Sequence, residues 1–431
     1  MKHNRRTFLK KAKAGVTATG LSVLVLFCIL SSTGCQRESH PALAGFAQLP
    51  ADSFALGPTS GQFIVPVNRR TPPFVDKQPI QGFSALITDG DGTLLAMTDN
   101  GFGTKENSPD FIPGVYRIRP TFKTKDGGSG QILVQSFFPL HDPDNKIDFT
   151  LTADLEFYPG SDDIIPVDKS IQMTRTLTGW DVDIESFQRV PDGTFYFGDE
   201  FGPFIIHTDS SGKILEAPIP LPGVKSPQNP YLRDEESNLP RSGGFEGMAL
   251  NKSGTKLYPV LEKPLKNQPD QLNIYEYDLI TKNYSHSDPY QPPYRYKLEN
   301  DAISVCEMTA ISDEDYLVIE RDGYEGPLAV LKKVFHINLD KIDEDGFLIK
   351  NEIIDLLNLK DENNLGGSDI GKFRFPFETI EALVIIDDLT VCVVNDNNFP
   401  FSVGRFATTT REPDDNEFIL VRLKSSLRSL I

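Results

Sequence analysis

One pattern recurs five times between Gly82 and the C-terminus, and its copies carry acids in register. They begin GFSALITDGDGTLLAMTDNG at Gly82, DIESFQRVPDGTFYFGDEFG at Asp183, GFEGMALNKSGTKLYPVLEKP at Gly244, VCEMTAISDEDYLVIERDG at Val305 and TIEALVIIDDLTVCVVNDNN at Thr379. Each reads as apolar strand, polar turn, apolar strand, then an acidic or amide pair, which is a hairpin signature. Four copies put a glutamate near the start of the first strand: Glu185, Glu246, Glu307 and Glu381; the first copy has Ser84 there. The second strands end at Asp99, Asp199-Glu200, Glu262, Glu320 and Asn395-Asp396. A hairpin returns the chain to the end where it began, so both acid positions gather on one face.

A third apolar strand follows each hairpin, starting near Val115, Phe204, Leu272, Lys333 and Glu417. Four of these are followed by a fourth strand-like stretch, near Gln131, Ile214, Tyr294 and Asn351, and the last copy ends without one. Four-stranded repeats of this kind predict an all-β fold, a β-propeller of four-stranded blades. The missing last strand is expected from Ala44–Leu56, which would close the ring and remove an exposed edge. The glutamates are 61, 61 and 74 residues apart, and Ser84 to Glu185 spans 101. Six blades are favoured on this spacing, with five or seven open, Asp148–Gln172 filling the excess.

The chain has 431 residues and a net charge of −18. Before Cys35 there are six basic residues and no acid, so the remainder has 37 basic residues against 61 acids, a net −24. A duplex nucleic-acid partner is excluded at that charge. Residues 1–34 read as an export signal or lipoprotein leader. Arg5-Arg6-Thr7-Phe8-Leu9-Lys10 precedes the apolar run Leu21–Leu30, and Ser32-Thr33-Gly34-Cys35 resembles a lipidation site with Ser32 in place of the usual leucine. The apolar stretch also has the length of a retained anchor. The expected domains are 1–34 as leader, 35–81 as tether and closing edge strand, and 82–431 as propeller. Location is then periplasmic or cell-envelope, the membrane reached only through the lipid on Cys35 or the apolar segment, and a monomer is expected. Cys306 and Cys392, both in expected strands, read as buried free thiols rather than a bridge.

Several segments resemble the phytase-like family, whose description records an esterase-like activity of phytase. The nearest are TGWDVDIESFQRVPDGTFYFGDEFGPFIIHTDSSGKI (Thr178–Ile214) and GGFEGMALNKSGTKLYPVLEKP (Gly243–Pro264), with Glu381-Ala382-Leu383, Asn395-Asp396-Asn397 and Arg405. The resemblance implies an exported bacterial-type propeller that hydrolyses phosphate or carboxylic esters. The RHGxRxP and G-x-S-x-G patterns are absent, and six histidines give little support to a Ser-His-Asp triad.

Acids facing one mouth suit a hard cation such as Ca²⁺, which accepts six to eight oxygen ligands. Such an ion polarises an ester oxygen, and it lets an acidic protein bind a phosphate ester. The expected roles are catalysis by Glu185, Glu246, Glu307 and Glu381, metal ligation by Asp99, Glu200, Glu262, Glu320 and Asp396, and substrate binding by Lys263, Arg321 and Arg405, with Lys105 nearby. The substrate would be a small ester or phosphoester. Two alternatives stay open: a non-catalytic envelope propeller that binds a protein or glycan, and a metal-dependent lactonase. The repeated glutamates also suit blade-to-blade hydrogen bonding.

Overall fold

Each hairpin of the repeat becomes the inner half of a blade. In the computed structural model, which describes residues 40–162, 164–367 and 371–431, the strands assemble into five blades. Blade 1 runs Phe83–Thr88, Leu94–Thr98, Gly114–Thr121, Gln131–Pro139 from the axis outward. Blade 2 is Ile184–Arg189, Phe195–Asp199, Phe204–Thr208, Ile219–Pro220. Blade 3 starts with Phe245–Leu250 and Lys256–Leu261; its outer strands are broken, Leu272–Ile274 with Tyr277–Asp278, then Asn283–Tyr284 with Tyr294–Tyr296. Blade 4 is Ser304–Ala310, Asp315–Arg321, Lys332–Ile342, Leu348–Asp355. Blade 5 is Ile380–Asp387, Thr390–Asn395 and Asn416–Arg422, completed by Ala42–Leu49.

That N-terminal strand pairs antiparallel with the last strand, Phe46 opposite Ile419 and Ala47 opposite Phe418. It supplies the strand the final repeat lacks and covers the edge. Phe54–Leu56 does not take part; it pairs with Lys77–Pro79 in a separate hairpin. The loop of that hairpin is tied down at Asn68, whose amide donates to the carbonyls of Pro400 and Phe401.

The inner strands contact one another in cyclic order, blade 5 returning to blade 1. An apolar cluster fills each of the five interfaces. Between blades 1 and 2, for example, Met97 and Val115 meet Phe187 and Phe197, and between blades 4 and 5 Leu317 and Val334 meet Leu383 and Val393. Full burial of each such side chain contributes about 1.5–3 kcal/mol, so the ring is held chiefly by these seams.

The count of six that spacing favours is corrected to five. The excess between blades 1 and 2 does not form a hairpin. Residues 148–172 hold a 3-10 turn at Thr152–Asp154 and the start of a short helix, Lys169–Thr174. They pack Ala153, Tyr158, Val167 and Ile171 into a small satellite core with Phe63 and Ile112. Pro159 and Pro166 interrupt the stretch, and a proline removes a ladder donor, so an inner blade strand does not form there. The extra residues before blade 5 are used in a small hairpin, Leu359–Asp361 with Gly371–Phe373. Cys306 and Cys392 are free and buried. Among the described residues no helix is long and apolar enough to cross a membrane. The leader expected over 1–34 and the lipidation expected at Cys35 lie outside the described residues.

Candidate functional site

The site follows from a defect repeated in every blade. Each inner strand carries a one-residue bulge against its partner at the same place: after Phe83, Ile184, Phe245, Val305 and Ile380. A bulge leaves one residue out of the ladder and re-aims it. The five residues so released are Ser84, Glu185, Glu246, Cys306 and Glu381. On the second strand, the residue after the partner of the pre-bulge residue forms a second tier: Asp99, Glu200, Glu262, Arg321 and Asp396. A repeated backbone bond fixes this tier, with the amides of Asp99, Glu200 and Glu262 donating to the carbonyls of Gly82, Asp183 and Gly244 at 3.0, 2.9 and 2.9 Å. Gly244 is required by close approach: a Cβ there would lie 2.3 Å from the Glu200 carbonyl oxygen.

All of the two tiers but Ser84 and Cys306 line a cavity of about 110 Å³ at one end of the axis, together with Asn100, Asp183, Ser242, Thr379 and Asn398. Its charge is one-sided. Seven carboxylates come from the tiers and an eighth from Asp183, while one guanidinium, Arg321, enters the lining. Arg321 Nη2 lies 3.2 Å from Glu381, 3.7 Å from Glu262 and 3.9 Å from Glu246, and its Nε donates to Cys306 Sγ at 2.9 Å. Burial works against that positive charge, but Cys306, Glu381, Glu262 and Glu246 raise the guanidinium's pKa overall. The acids are shifted the other way. Burial first, then neighbouring carboxylates, raises Glu185, Glu200, Glu246 and Asp99 well above the usual range. Burial and Asp396 push Glu381 up to about 8. Burial also pushes Asp183 and Asp396 up to about 6, hydrogen bonds to each holding them lower than the rest. Asp199 positions Asp183 from behind, accepting its amide at 2.9 Å and the Gly202 amide at 2.8 Å.

The cavity therefore brings together Glu185, Glu246, Glu381, Asp99, Glu200, Glu262, Asp396 and Arg321 of the residues expected from sequence. It leaves out Glu307 and Glu320, and one cause accounts for both. In blade 4 the expected register is off by one residue: Cys306, not Glu307, is the bulged position, and Arg321 follows Glu320, the partner of the pre-bulge Val305. A slip of one residue carries a strand side chain to the opposite face. Glu307 thus turns into the seam with blade 5, accepting the Met308 amide at 2.7 Å, with a further bond to the Leu383 backbone. Glu320 is buried between blades 3 and 4, accepting from Tyr296 Oη at 2.9 Å and Lys350 Nζ at 2.8 Å.

The other cations are placed differently. Lys263 stands at the rim, 2.8 Å from Glu262 Oε2, its ammonium also donating to the carbonyls of Ser242 and Arg241. Lys105 lies over the rings of Trp180 and Phe201, 5.1 and 4.8 Å from their centroids. Arg405 is removed from the mouth. It sits in the long loop before the third strand of blade 5, clamps Glu417 at 2.8 and 2.5 Å, and lines a separate groove with Lys372 and Arg374.

Sequence reasoning missed Cys306 in the ring, and Asn100, Asp183, Ser242 and Asn398 beside it. The signal for Cys306 was available. In the other four copies a large apolar residue stands immediately before the released position, and in the fourth copy that residue is Val305.

Residues 78–399 match the phytase-like family, described as the esterase-like activity of phytase. The chain belongs to this family. A secreted protein of Arthroderma benhamiae, itself uncharacterised, is 24% identical over 190 residues, and the match covers 36% of each chain. The chain thus spans about a third of that relative's length. Among solved structures, a luciferin-regenerating enzyme is similar at 10% identity and TM-score 0.36, covering 90% of this chain and 98% of the other. The virginiamycin B lyase of Staphylococcus aureus is similar at 12% identity and TM-score 0.32, covering 78% and 79%. Likenesses this distant carry no argument here; the propeller follows from the strand order and the closed ring of inner strands.

Proposed function

We propose that this phytase-like propeller is a metal-assisted hydrolase of phosphate or carboxylic esters, working outside the cytoplasm, with a hard divalent cation such as Ca²⁺ held at the acid mouth. The observation that carries the reading is eight carboxylates, seven buried and Glu185 half-buried, around a cavity whose lining includes a single guanidinium. Like charges this close raise one another's pKa and oppose folding unless a cation offsets them. The donor set fits such an ion: carboxylate and amide oxygens, as hard cations require. When bound, the ion supplies neutralisation of the acids and polarisation of an ester oxygen.

The chain's own groups divide the remaining work. Arg321, fixed by Cys306 and Glu381, presents its guanidinium to an anionic substrate oxygen. Glu381, beside it, holds a proton near neutral pH and is the group able to pass one to a leaving alkoxide. The cavity's 110 Å³ admits the ion and the reacting group, so the bulk of a substrate rests on the rim near Lys263. Export is supported by the basic, apolar, small-residue order before Cys35 and by the secreted relative.

The test is a melting curve and a hydrolase screen on phosphate monoesters, acyl esters and lactones, each in excess EDTA and after Ca²⁺ is restored. Ca²⁺ is expected to raise the melting temperature by mass action and to restore turnover on one ester class. Neither effect would remove the hydrolase reading and leave a face that binds protein or glycan. Fractionation that finds unprocessed protein free in the cytoplasm would remove export.

A further inference from the structure

The acid ring is not uniform. Arg321 divides it into a half that the protein neutralises itself and a half that it does not. On the blade 4 side, Glu246, Cys306 and Glu381 have potential ligand atoms within 4.8 Å of one another. Arg321 already reaches all three, at 3.9, 2.9 and 3.2 Å. Glu262 is likewise served, by Arg321 at 3.7 Å and Lys263 at 2.8 Å.

On the blade 2 side, Asp183, Glu185 and Glu200 offer oxygens within 4.8 Å of one another, and no ion pair with a basic side chain reaches them among the described residues. Oxygens bound at about 2.4 Å to one ion lie no more than about 4.8 Å apart, so this spacing is that of a single coordination shell. A second, independent sign comes from hydrogen bonding. Asn100 Oδ1, Asp183 Oδ1 and Glu200 Oε1 have no donor among the described residues, although these residues are only 3%, 4% and 4% exposed. Buried oxygens without a donor are costly. Asn100 is also aligned from its other end, its amide nitrogen donating to Asp183 Oδ2 at 2.8 Å. That bond fixes which end of the amide faces away from Asp183.

Resting on the metal reading above, we propose that the mouth holds one hard cation per chain, ligated by Asn100 Oδ1, Asp183 Oδ1, Glu185 and Glu200 Oε1, and that Arg321 occupies the place of a second. The ring is then a two-cation device in which one cation is built into the chain. An anionic substrate oxygen is met from both sides, by the ion over blade 2 and by the guanidinium of blade 4.

Ca²⁺ binding to the purified protein, measured by calorimetry and by metal analysis after dialysis, tests this. Wild type is expected to bind one ion. Glu200→Gln and Asp183→Asn are expected to weaken binding at least tenfold, and Glu381→Gln, on the Arg321 side, to change it less than threefold. Arg321→Gln, purified in Ca²⁺, is expected to bind two ions. Melting curves accompany each variant; should Glu200→Gln and Asp183→Asn not fold, Asn100→Ala, which removes a neutral ligand, gives the same reading. If wild type binds no ion, the metal reading itself falls. If it binds one but Glu381→Gln abolishes binding while Glu200→Gln does not, the placement is overturned and the metal reading stands. A single ion in Arg321→Gln overturns the stand-in role.

Discussion

Blade 4 and the other four blades share a backbone at the axis and differ in chemistry. All five have the same bulge and the same step to the second tier. In blades 2, 3 and 5 both tiers are acidic, in blade 1 one of them is, and in blade 4 the pair is Cys306 and Arg321. The bulge makes the position; the residue placed there decides whether the blade gives the ring a negative or a positive charge. Blade 4 therefore shows what the other blades lack, a counter-charge supplied by the chain, and so where an external one is needed.

Removing that counter-charge should have the largest effect. Arg321→Ala leaves Glu246, Glu262 and Glu381 buried around an uncompensated space, and breaking a buried ion network from one side costs about 3–5 kcal/mol. Chemical denaturation in EDTA should show a loss of that size, partly recovered in Ca²⁺. A loss below about 1 kcal/mol would mean that Arg321 does not balance the acids.

Next in size is the contact between rungs. Gly244 and Ser304 occupy equivalent places, two residues before the released position, and of the two only Ser304 has a side chain. At Gly244 a Cβ would meet the Glu200 carbonyl oxygen at 2.3 Å and its Cα at 2.4 Å, backbone atoms that have no rotamer to give. Gly244→Ala should cost about 1–3 kcal/mol and shift Glu200, so Ca²⁺ binding weakens with stability. Ser304→Ala should leave Ca²⁺ binding unchanged. Equal outcomes in the two variants would show that the rungs are not held as described.

The acids' own titration reports on the ring from solution conditions alone. Asp183 and Asp396 are pushed up to about 6 and Glu381 to about 8, chiefly by burial, above the values of an unfolded chain. The folded protein then keeps protons that the unfolded one has released. Stability in EDTA should fall as pH rises from about 5 to about 8, by ~1.4 kcal/mol per pH unit for each proton involved. Ca²⁺, which favours the ionised acids, should flatten the slope. A stability that rises with pH over this range in EDTA would refute the shifts.

Much of this was legible in the sequence, for a physical reason. Period-two apolar runs and turn residues specify strands locally, so the hairpins, the third strands and the closing role of the N-terminal segment could be read from residues such as Phe46, Phe187 and Val393. What was not legible depended on register. A bulge adds one residue without changing composition, and in VCEMT two neighbouring residues, Cys306 and Glu307, both look able to fill a polar position. The preference for six blades over five was overturned for a related reason. Residues 148–172 have strand-like apolar content, but their fate was decided by prolines and by packing against Phe63 and Ile112, partners distant in sequence. Asn100 and Asp183 were passed over because their role lies in which atoms lack a donor, a property of assembled blades and not of any one segment.

The smallest expected effect gives the sharpest test of that register. Glu307 is buried in the seam between blades 4 and 5, where burial raises its pKa well above the usual range. Its Oε1 accepts the Met308 amide at 2.7 Å, and the neighbouring Thr309 hydroxyl donates to the Leu383 carbonyl at 2.8 Å, tying the same seam. Glutamine keeps the acceptor oxygen and nearly the shape of the glutamate side chain. Glu307→Gln should therefore change stability by less than about 1 kcal/mol, as the hydrogen bond from Met308 is kept rather than lost. It should also leave the Ca²⁺-induced rise in melting temperature intact, since Glu307 is not part of the cavity lining. Glu246→Gln, one blade earlier at the released position, should alter the pH slope in EDTA because it removes a titrating group from the ring. If the two substitutions behave alike, blade 4 follows the same register as its neighbours, and the contrast between a chain-supplied and an external cation disappears.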